Sequence, residues 1–164
     1  LGKHAAAAVP ELSKLLADSD AHVRGVAADS LGNLGEHAAA AVPELSKLFA
    51  DSDDNVRRKA AKALGKLGEH AANVPELSKL LADSDAHVRV VAAEALGNLG
   101  EHAVAAVPEL SKLLADSDAH VRVVAAEVLG KLGKHAAAAV PELIKFLAHS
   151  DAGVRGVAAE ALGK

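Results

Sequence analysis

The chain contains no cysteine, methionine, tryptophan or tyrosine, and its 164 residues include only two phenylalanines, Phe49 and Phe146. Without cysteine there is no disulfide, thiolate metal ligand, cysteine nucleophile or thiol redox chemistry. The scarcity of aromatic residues removes the stacking platform on which single-stranded nucleic acids ordinarily bind. The apolar residues, 51% of the chain, are therefore mostly alanine, valine and leucine. They favour closely packed helices over a sheet core.

The charge balance is mildly acidic, with 18 Lys and Arg against 22 Asp and Glu and a net charge of -4 when histidine is neutral. This balance argues against a general polyanion binder. Proline, glutamate or lysine interrupts every apolar stretch within a few residues, so no stretch is long enough to span a bilayer. No signal peptide is visible. We expect a soluble intracellular protein that binds neither nucleic acid nor membrane.

Five near-copies of one phrase make up the sequence. The prolines recur every 32 or 33 residues within the phrase Val-Pro-Glu-Leu, as Pro10, Pro43, Pro75, Pro108 and Pro141. Residues 75–94 and 108–127 are identical. Self-similarity of this kind is typical of a tandem array in which one unit stacks on the next. The sequence predicts a single repeat domain over residues 1–164, with repeats at about 1–35, 36–68, 69–100, 101–133 and 134–164.

Each copy is predicted to form two helices. In the second copy the first helix is expected over residues 38–50, with apolar residues at helical spacing. Pro43 lies early in this helix and predicts a loose or kinked first turn. In the third copy Asn73 is a candidate N-cap for the corresponding helix.

Aspartate and glycine residues mark the ends of the second helices. The predicted N-caps are Asp20, Asp53, Asp85, Asp118 and Asp151. The predicted C-terminal glycines, able to take a positive φ, are Gly35, Gly68, Gly100 and Gly133. A glycine within each helix costs about 1 kcal/mol relative to alanine, so its repetition predicts close contact with a neighbouring helix at Gly32, Gly65, Gly97 and Gly130. Because one helix pair cannot bury its apolar faces alone, the pairs must stack. The fold predicted is all-α, a right-handed α-solenoid of five helix pairs, ten helices in all.

One spacing recurs across the copies: a proline, an aspartate eight positions later and an arginine six positions after that, as in Pro43, Asp51 and Arg57. This pattern resembles the HEAT-repeat family in its short form, of the type found in phycobilin lyases. The resemblance implies HEAT-like helix pairs and a ladder of hydrogen bonds between the aspartates and arginines of the turns. The ladder residues are Asp18, Arg24, Asp51, Arg57, Asp83, Arg89, Asp116, Arg122 and Arg155. His149 replaces the last aspartate and is expected to weaken the last rung.

No group of residues predicts catalysis. A constellation repeated in every copy serves the stack rather than one reaction centre, and there is neither a nucleophile elbow nor a phosphate-binding loop. We therefore expect a protein that is not an enzyme, with no catalytic residue, no cofactor and no metal. Histidines in one register of neighbouring repeats lie roughly 8–10 Å apart, too far to share a zinc ion. These are His4, His37, His70, His102 and His135. Whether they sense pH is left open.

The copies differ most at two positions of the second helix, the residue after the ladder arginine and the residue four further on. Both are expected to face the concave surface of the solenoid, at Arg58, Lys62, Val90, Glu94, Val123 and Glu127. The second copy is basic there, with Arg57, Arg58, Lys59, Lys62 and Lys66. The sequence thus predicts a non-catalytic scaffold that binds a protein partner on this surface. Two alternatives stay open: an accessory subunit of a bilin lyase or similar modifying enzyme, and an engineered consensus array with no natural partner.

The ends of the chain carry a further expectation. It opens within the repeated phrase at Leu1, which is typical of an excised segment. The fifth copy has Ile144 and Phe146 where other copies have serine and leucine. Because solenoids normally end in polar caps, we expect either a longer array or end-to-end self-association through Ile144, Phe146 or the last helix.

Overall fold

Helix pairs follow one another along the whole of the computed structural model, which describes residues 6–68 and 74–163. The first helices of the pairs are α1 (Val9–Leu15), α3 (Val42–Lys47), α5 (Val74–Lys79), α7 (Val107–Lys112) and α9 (Val140–Phe146). The second helices are α2 (Ala21–Asn33), α4 (Asp54–Leu67), α6 (Ala86–Asn98), α8 (Ala119–Leu132) and α10 (Ala152–Leu162). The predicted all-α solenoid of helix pairs is confirmed.

Each first helix is shorter than the sequence pattern indicates. In the second repeat, residues 35–41 and 48–50 wind as 3₁₀-helix, and only α3 between them is α-helical. A proline ring in an α-helix clashes with the carbonyl four residues back, which for Pro43 is the carbonyl of Ala39. The amide of Val42 bonds to the Ala39 carbonyl in the tighter 3₁₀ pattern instead. The α-helix begins only at Val42, so Pro43 lies in its first turn instead of loosening or kinking a longer helix. The cap predicted at Asn73 lies outside the described residues.

The ends of the second helices follow the sequence signals. The side chain of Asp53 accepts a hydrogen bond from the amide of Val56 at 3.1 Å, and its backbone is extended, as expected for an N-cap. The other predicted caps accept amides of the first turn in the same way. The C-terminal glycines all have a positive φ between 54° and 61°. This left-handed backbone reverses the chain toward the next repeat at little steric cost only for glycine.

The second helices contact one another closely at their inner glycines. A Cβ atom added to Gly65 would lie 2.9 Å from the Cα of Ala95 in the next repeat. At Gly32 the equivalent distance, to the Cα of Ala63, would be 2.8 Å. Real Cβ atoms do not approach backbone this closely, so glycine is required for the observed separation. The predicted role of these residues is confirmed.

The core lies between the two layers of helices and runs continuously through the stack. Leu45 of a first helix and Val56 and Leu64 of the following second helix are fully buried, and equivalent residues fill the same places in other repeats. Each inner second helix, α4, α6 or α8, is covered by its own first helix and by the second helices on either side. Only a narrow strip of each inner second helix therefore meets solvent.

Candidate binding surface

Arginine–aspartate pairs link successive repeats along the turns. Arg24 donates from Nε to Oδ2 of Asp51 at 2.7 Å and from Nη2 to Oδ1 at 2.9 Å. Its Nη1 atom donates to the backbone carbonyl of Asp18 in its own repeat at 2.8 Å. The same two-bond contact joins Arg57 to Asp83 and Arg89 to Asp116. Each rung of the ladder thus ties an arginine to the carboxylate of the next repeat, not to that of its own.

The ladder carboxylates are held in the charged form. The hydrogen bonds from Arg24 lower the pKa of Asp51 below its usual value. At Asp83 burial alone would raise the pKa, but hydrogen bonds from Arg57 and a backbone amide outweigh it, so the pKa is lowered. The pKa of Asp116 is lowered in the same way against burial. These carboxylates are mostly buried and each is paired with an arginine, so they hold successive repeats together.

The ladder is interrupted at His149. Its Nδ1 atom accepts the amide of Asp151 at 3.0 Å, as the inner aspartates accept the equivalent amide, but an imidazole has no carboxylate to offer Arg122. The Nε atom of Arg122 is buried and has no hydrogen-bond partner among the residues that the structure describes. The ring of His149 stacks on Phe146 at a centroid distance of 5.6 Å. The last rung is therefore lost. Phe146 is partly buried against the core, whereas Ile144 is 55% exposed.

The solvent-exposed surface of the second helices does not include Val90, which the sequence predicted to lie there. Only 8% of Val90 is exposed, and it belongs to the core, so its predicted contact with a partner is wrong as placed. The residue after the ladder arginine faces the next second helix, as Gly25 faces the stem of Lys59. Val91, one residue further, lies at the surface beside Glu94. Val123 is half-buried, whereas Lys62, Glu94 and Glu127 are exposed as predicted.

A groove crosses the second helices of the first three repeats. It encloses about 290 Å³ and is lined by Asp29, Arg58, Lys59, Lys62 and Val91. We call this the basic groove. A smaller depression of about 140 Å³ adjoins it and shares Lys62 and Val91. The other residues that line this depression are Lys66, Glu94, Ala95 and Asn98.

The cations near the basic groove are not equivalent. Lys59 pairs with Asp29 of the preceding repeat at 3.2 Å, and Arg58 donates to Asn55 at 2.6 Å. Arg57 belongs to the ladder, which removes it from this surface. Lys62 is exposed and forms no ion pair with another described residue. Because Asn55 is neutral, the charges of both Lys62 and Arg58 lack a paired carboxylate among the described residues, and Lys62 is the more exposed of the two.

Over residues 6–68 and 74–163, no three histidine, aspartate or glutamate side chains gather where they would hold a metal ion. His4 and His70 lie outside those residues. Among the same residues, no helix is both long enough and apolar enough to cross a membrane.

The chain belongs to the HEAT-repeat family. Residues 1–54, 42–107 and 74–163 each match the sequence profile of HEAT repeats. A comparison with curated protein sequences finds no match.

Solved structures similar to this chain are helical repeat proteins. A chain of the CpcE–CpcF complex of phycocyanin lyase from Nostoc sp. PCC7120 is 32% identical, with a TM-score of 0.77 over 94% of this chain and 63% of that one. An engineered protein is 30% identical, with a TM-score of 0.71 over 94% of this chain and 77% of its own. A computationally designed armadillo repeat protein for modular peptide recognition is 25% identical, with a TM-score of 0.73 over 96% and 82%.

Proposed function

We propose that the chain is a scaffold that binds an extended protein segment across its second helices, with the basic groove as the main point of contact. The observation that carries this proposal is the pairing, in adjoining depressions, of the uncompensated Lys62 with the apolar surface of Val91. The second helices pack at backbone distance through their glycines. We infer that their layer is the inner, concave side of the stack.

The partner is defined by the charges and shape of this surface. Lys62 and Arg58 favour a carboxylate, because a partner's acidic side chain would compensate the exposed positive charge. Val91 favours an apolar side chain next to that carboxylate. Glu94, which lines the adjoining depression together with Lys62 and Val91, disfavours a second acidic residue there. The preferred segment therefore carries an acidic residue followed or preceded by an aliphatic or aromatic one, and Val123 and Glu127 extend the face for a longer partner.

The comparisons support this choice of function class. One similar structure is described as a designed repeat protein for modular peptide recognition. Another is described as the complex of CpcE and CpcF of phycocyanin lyase. Helical solenoids offer extended faces suited to such contacts. In this chain one of the two most variable positions, that of Lys62, Glu94 and Glu127, is exposed on the second helices.

Selection from a random peptide display library tests the proposal. The full chain is immobilised, and peptides that also bind a Lys62→Glu, Val91→Ser variant are removed. The expected result is enrichment of peptides that pair an acidic with an apolar residue. A synthetic copy of an enriched peptide, followed by fluorescence anisotropy, should lose at least about tenfold in affinity on Lys62→Glu, which corresponds to about 1.4 kcal/mol.

Lys112→Glu is the matched control, because Lys112 is an exposed cation on a first helix, away from the groove. It should leave the affinity unchanged. Enriched peptides without acidic residues, or an equal loss with Lys112→Glu, would contradict the proposed groove.

A second candidate is a subunit of a two-chain modifying enzyme, which the similarity to the phycocyanin lyase complex favours. In that case the partner is a folded chain that covers several repeats. Such a partner would tolerate Lys62→Glu alone, since one contact is a small part of a large interface. Titration of a purified candidate partner chain against the Lys62→Glu and Lys112→Glu variants separates these functions.

A further inference from the structure

Three cations follow one another along one side of α4 at intervals of four residues. They are Arg58, which is half-buried, and Lys62 and Lys66, which are exposed. Residues four apart on a helix lie on one face about one turn apart, and like charges at this spacing destabilise the helix. Arg58 donates to the amide oxygen of Asn55 at 2.6 Å. Lys66 donates to that of Asn33 at 2.7 Å. Because both of these partners are neutral, none of the three cations is paired with a carboxylate of the described residues.

The other copies have the opposite charge at the middle position of this row. Where α4 has Lys62 they have an acidic residue, and where α4 has Arg58 they have glycine or valine. The acidic residues are Asp29, Glu94, Glu127 and Glu160. The repeats therefore stack without a cation at either position. A row of like charges that is confined to one copy indicates a ligand rather than a role in packing.

The basic groove keeps an excess of two positive charges. Arg58, Lys59 and Lys62 line it against a single carboxylate, that of Asp29. Asp29 pairs with Lys59 at 3.2 Å. The stem of Lys59 lies against Gly25, where a Cβ atom would be 3.0 Å from the Cδ atom of the lysine. The pair therefore depends on the absence of a side chain at Gly25, and it leaves the charges of Arg58 and Lys62 for a ligand.

This excess of charge distinguishes between kinds of acidic partner. A carboxylate has one negative charge and would leave one of the two cations uncompensated. A phosphate monoester carries about −1.5 to −2 charges at neutral pH and offers three acceptor oxygens. A guanidinium group binds phosphate with two parallel hydrogen bonds, and a lysine adds a point charge. Arg58 and Lys62 together therefore match a phosphate better than a carboxylate.

We propose that the basic groove recognises a phosphorylated serine or threonine in the partner segment. This inference rests on the proposed function, because it specifies the acidic residue of the same extended segment. Arg58 and Lys62 bind the phosphate, and Val91 contacts the apolar residue next to it. Aspartate or glutamate at the same place is a weaker ligand, so phosphorylation of the partner controls its binding to the scaffold.

Fluorescence anisotropy of labelled peptide pools against the full chain tests the identity of the anion. The pools differ only in their central residue, which is phosphoserine, glutamate or serine. Leucine stands on both sides of it, and the other positions are random mixtures of uncharged residues. The phosphoserine pool should bind at least about tenfold more tightly than the glutamate pool, because it compensates both cations. The glutamate pool should in turn bind more tightly than the serine pool.

Arg58→Gln and Lys62→Gln each remove one of the two charges. A carboxylate then compensates the remaining charge, so the preference for phosphoserine over glutamate should fall from about tenfold to less than about threefold in either variant. Lys112→Gln is the matched control, since it removes an exposed cation of a first helix, and it should leave the preference unchanged. Circular dichroism verifies that the variants are folded.

The outcomes separate this inference from the proposed function. Equal binding of the phosphoserine and glutamate pools, both tighter than the serine pool, would overturn the phosphate site and leave the acidic-segment groove in place. Equal binding of all three pools would overturn both. A preference for phosphoserine that survives in Arg58→Gln and Lys62→Gln would locate the phosphate elsewhere and overturn the proposal. Displacement of the phosphoserine pool by an equal concentration of inorganic phosphate would also overturn it, because the groove would then bind any small anion.

Discussion

Arg57 of the second repeat and Asp83 of the third are joined by two hydrogen bonds, Nε to Oδ2 at 2.8 Å and Nη2 to Oδ1 at 2.9 Å. Their side chains are only 13% and 8% exposed. The pair therefore couples one repeat to the next at a site that water barely reaches. Because the stability of such an array depends on contacts between neighbouring repeats, this pair contributes to the stability of both repeats that it joins.

Arg57→Ala should destabilise the fold by about 3 kcal/mol or more, because it leaves the Asp83 carboxylate buried without its partner. Arg122→Ala is the matched control, since the Nε atom of Arg122 already lacks a partner among the described residues. Arg122→Ala should lower the free energy of unfolding by distinctly less than Arg57→Ala. Urea denaturation followed by circular dichroism measures both, and equal losses would show that the two-bond contact contributes little.

His149→Asp should stabilise the last repeat by about 1–3 kcal/mol, because a carboxylate at this position can accept from the buried Nε of Arg122. His149→Ala removes the same ring, with its stacking on Phe146, and adds no carboxylate. Thermal unfolding of the two variants isolates the effect of the carboxylate. A midpoint no higher for the aspartate than for the alanine would exclude a restored rung.

The protein should lose stability in acid through the ladder. The pKa values of Asp51, Asp83 and Asp116 are lowered in the folded chain. A lowered folded-state pKa stabilises the fold above the unfolded value of about 3.9 and less so as the pH falls through the folded value. Stability should therefore decline from about pH 4 downward.

Denaturant titration at a series of pH values measures this decline. The double variant Arg57→Met, Asp83→Leu, which removes one pair and leaves an apolar contact, should show a shallower dependence below about pH 4. An unchanged slope would assign the acid sensitivity to other carboxylates.

Gly65→Ala should destabilise the chain by about 1–3 kcal/mol, since the new Cβ would lie 2.9 Å from the Ala95 backbone and force the helices apart. Helix propensity alone predicts the opposite, a gain of about 1 kcal/mol. Gly156→Ala provides the comparison, because its Cβ would meet no atom within 4 Å. It should raise the unfolding midpoint, and a similar gain at Gly65 would contradict close helix packing.

Signals that act within one repeat were sufficient to predict most of the fold. Asp53 caps a helix, Gly68 takes a positive φ and Pro43 disrupts the turn before it, because each effect depends on a few neighbouring residues. The role of the inner glycines could also be predicted. A residue that is unfavourable in a helix yet recurs in the copies indicates close packing against a neighbouring helix.

Contacts between repeats were harder to predict. The pattern of one helix does not show that neighbouring helices cover a second helix on three sides. The sequence therefore predicts Val90 at the surface, whereas in the structure Val90 is buried and Val91 lines a surface depression. The ladder was expected from family resemblance, but its direction from Arg57 to Asp83 depends on how the repeats stack. The pairing of Lys59 with Asp29 likewise joins two repeats and reduced the free charge of the basic groove.

The most direct test of a protein-binding groove on the second helices is an NMR titration of the methyl-labelled chain with a peptide selected on it. Val91 in the groove and the buried Val90 next to it in the sequence provide adjacent reporters with different exposure. The expected result is saturable shift changes centred on Val91 and absent from the first-helix residues Leu110 and Leu143. Changes centred on those first helices, or spread evenly over all repeats, would contradict binding at the groove.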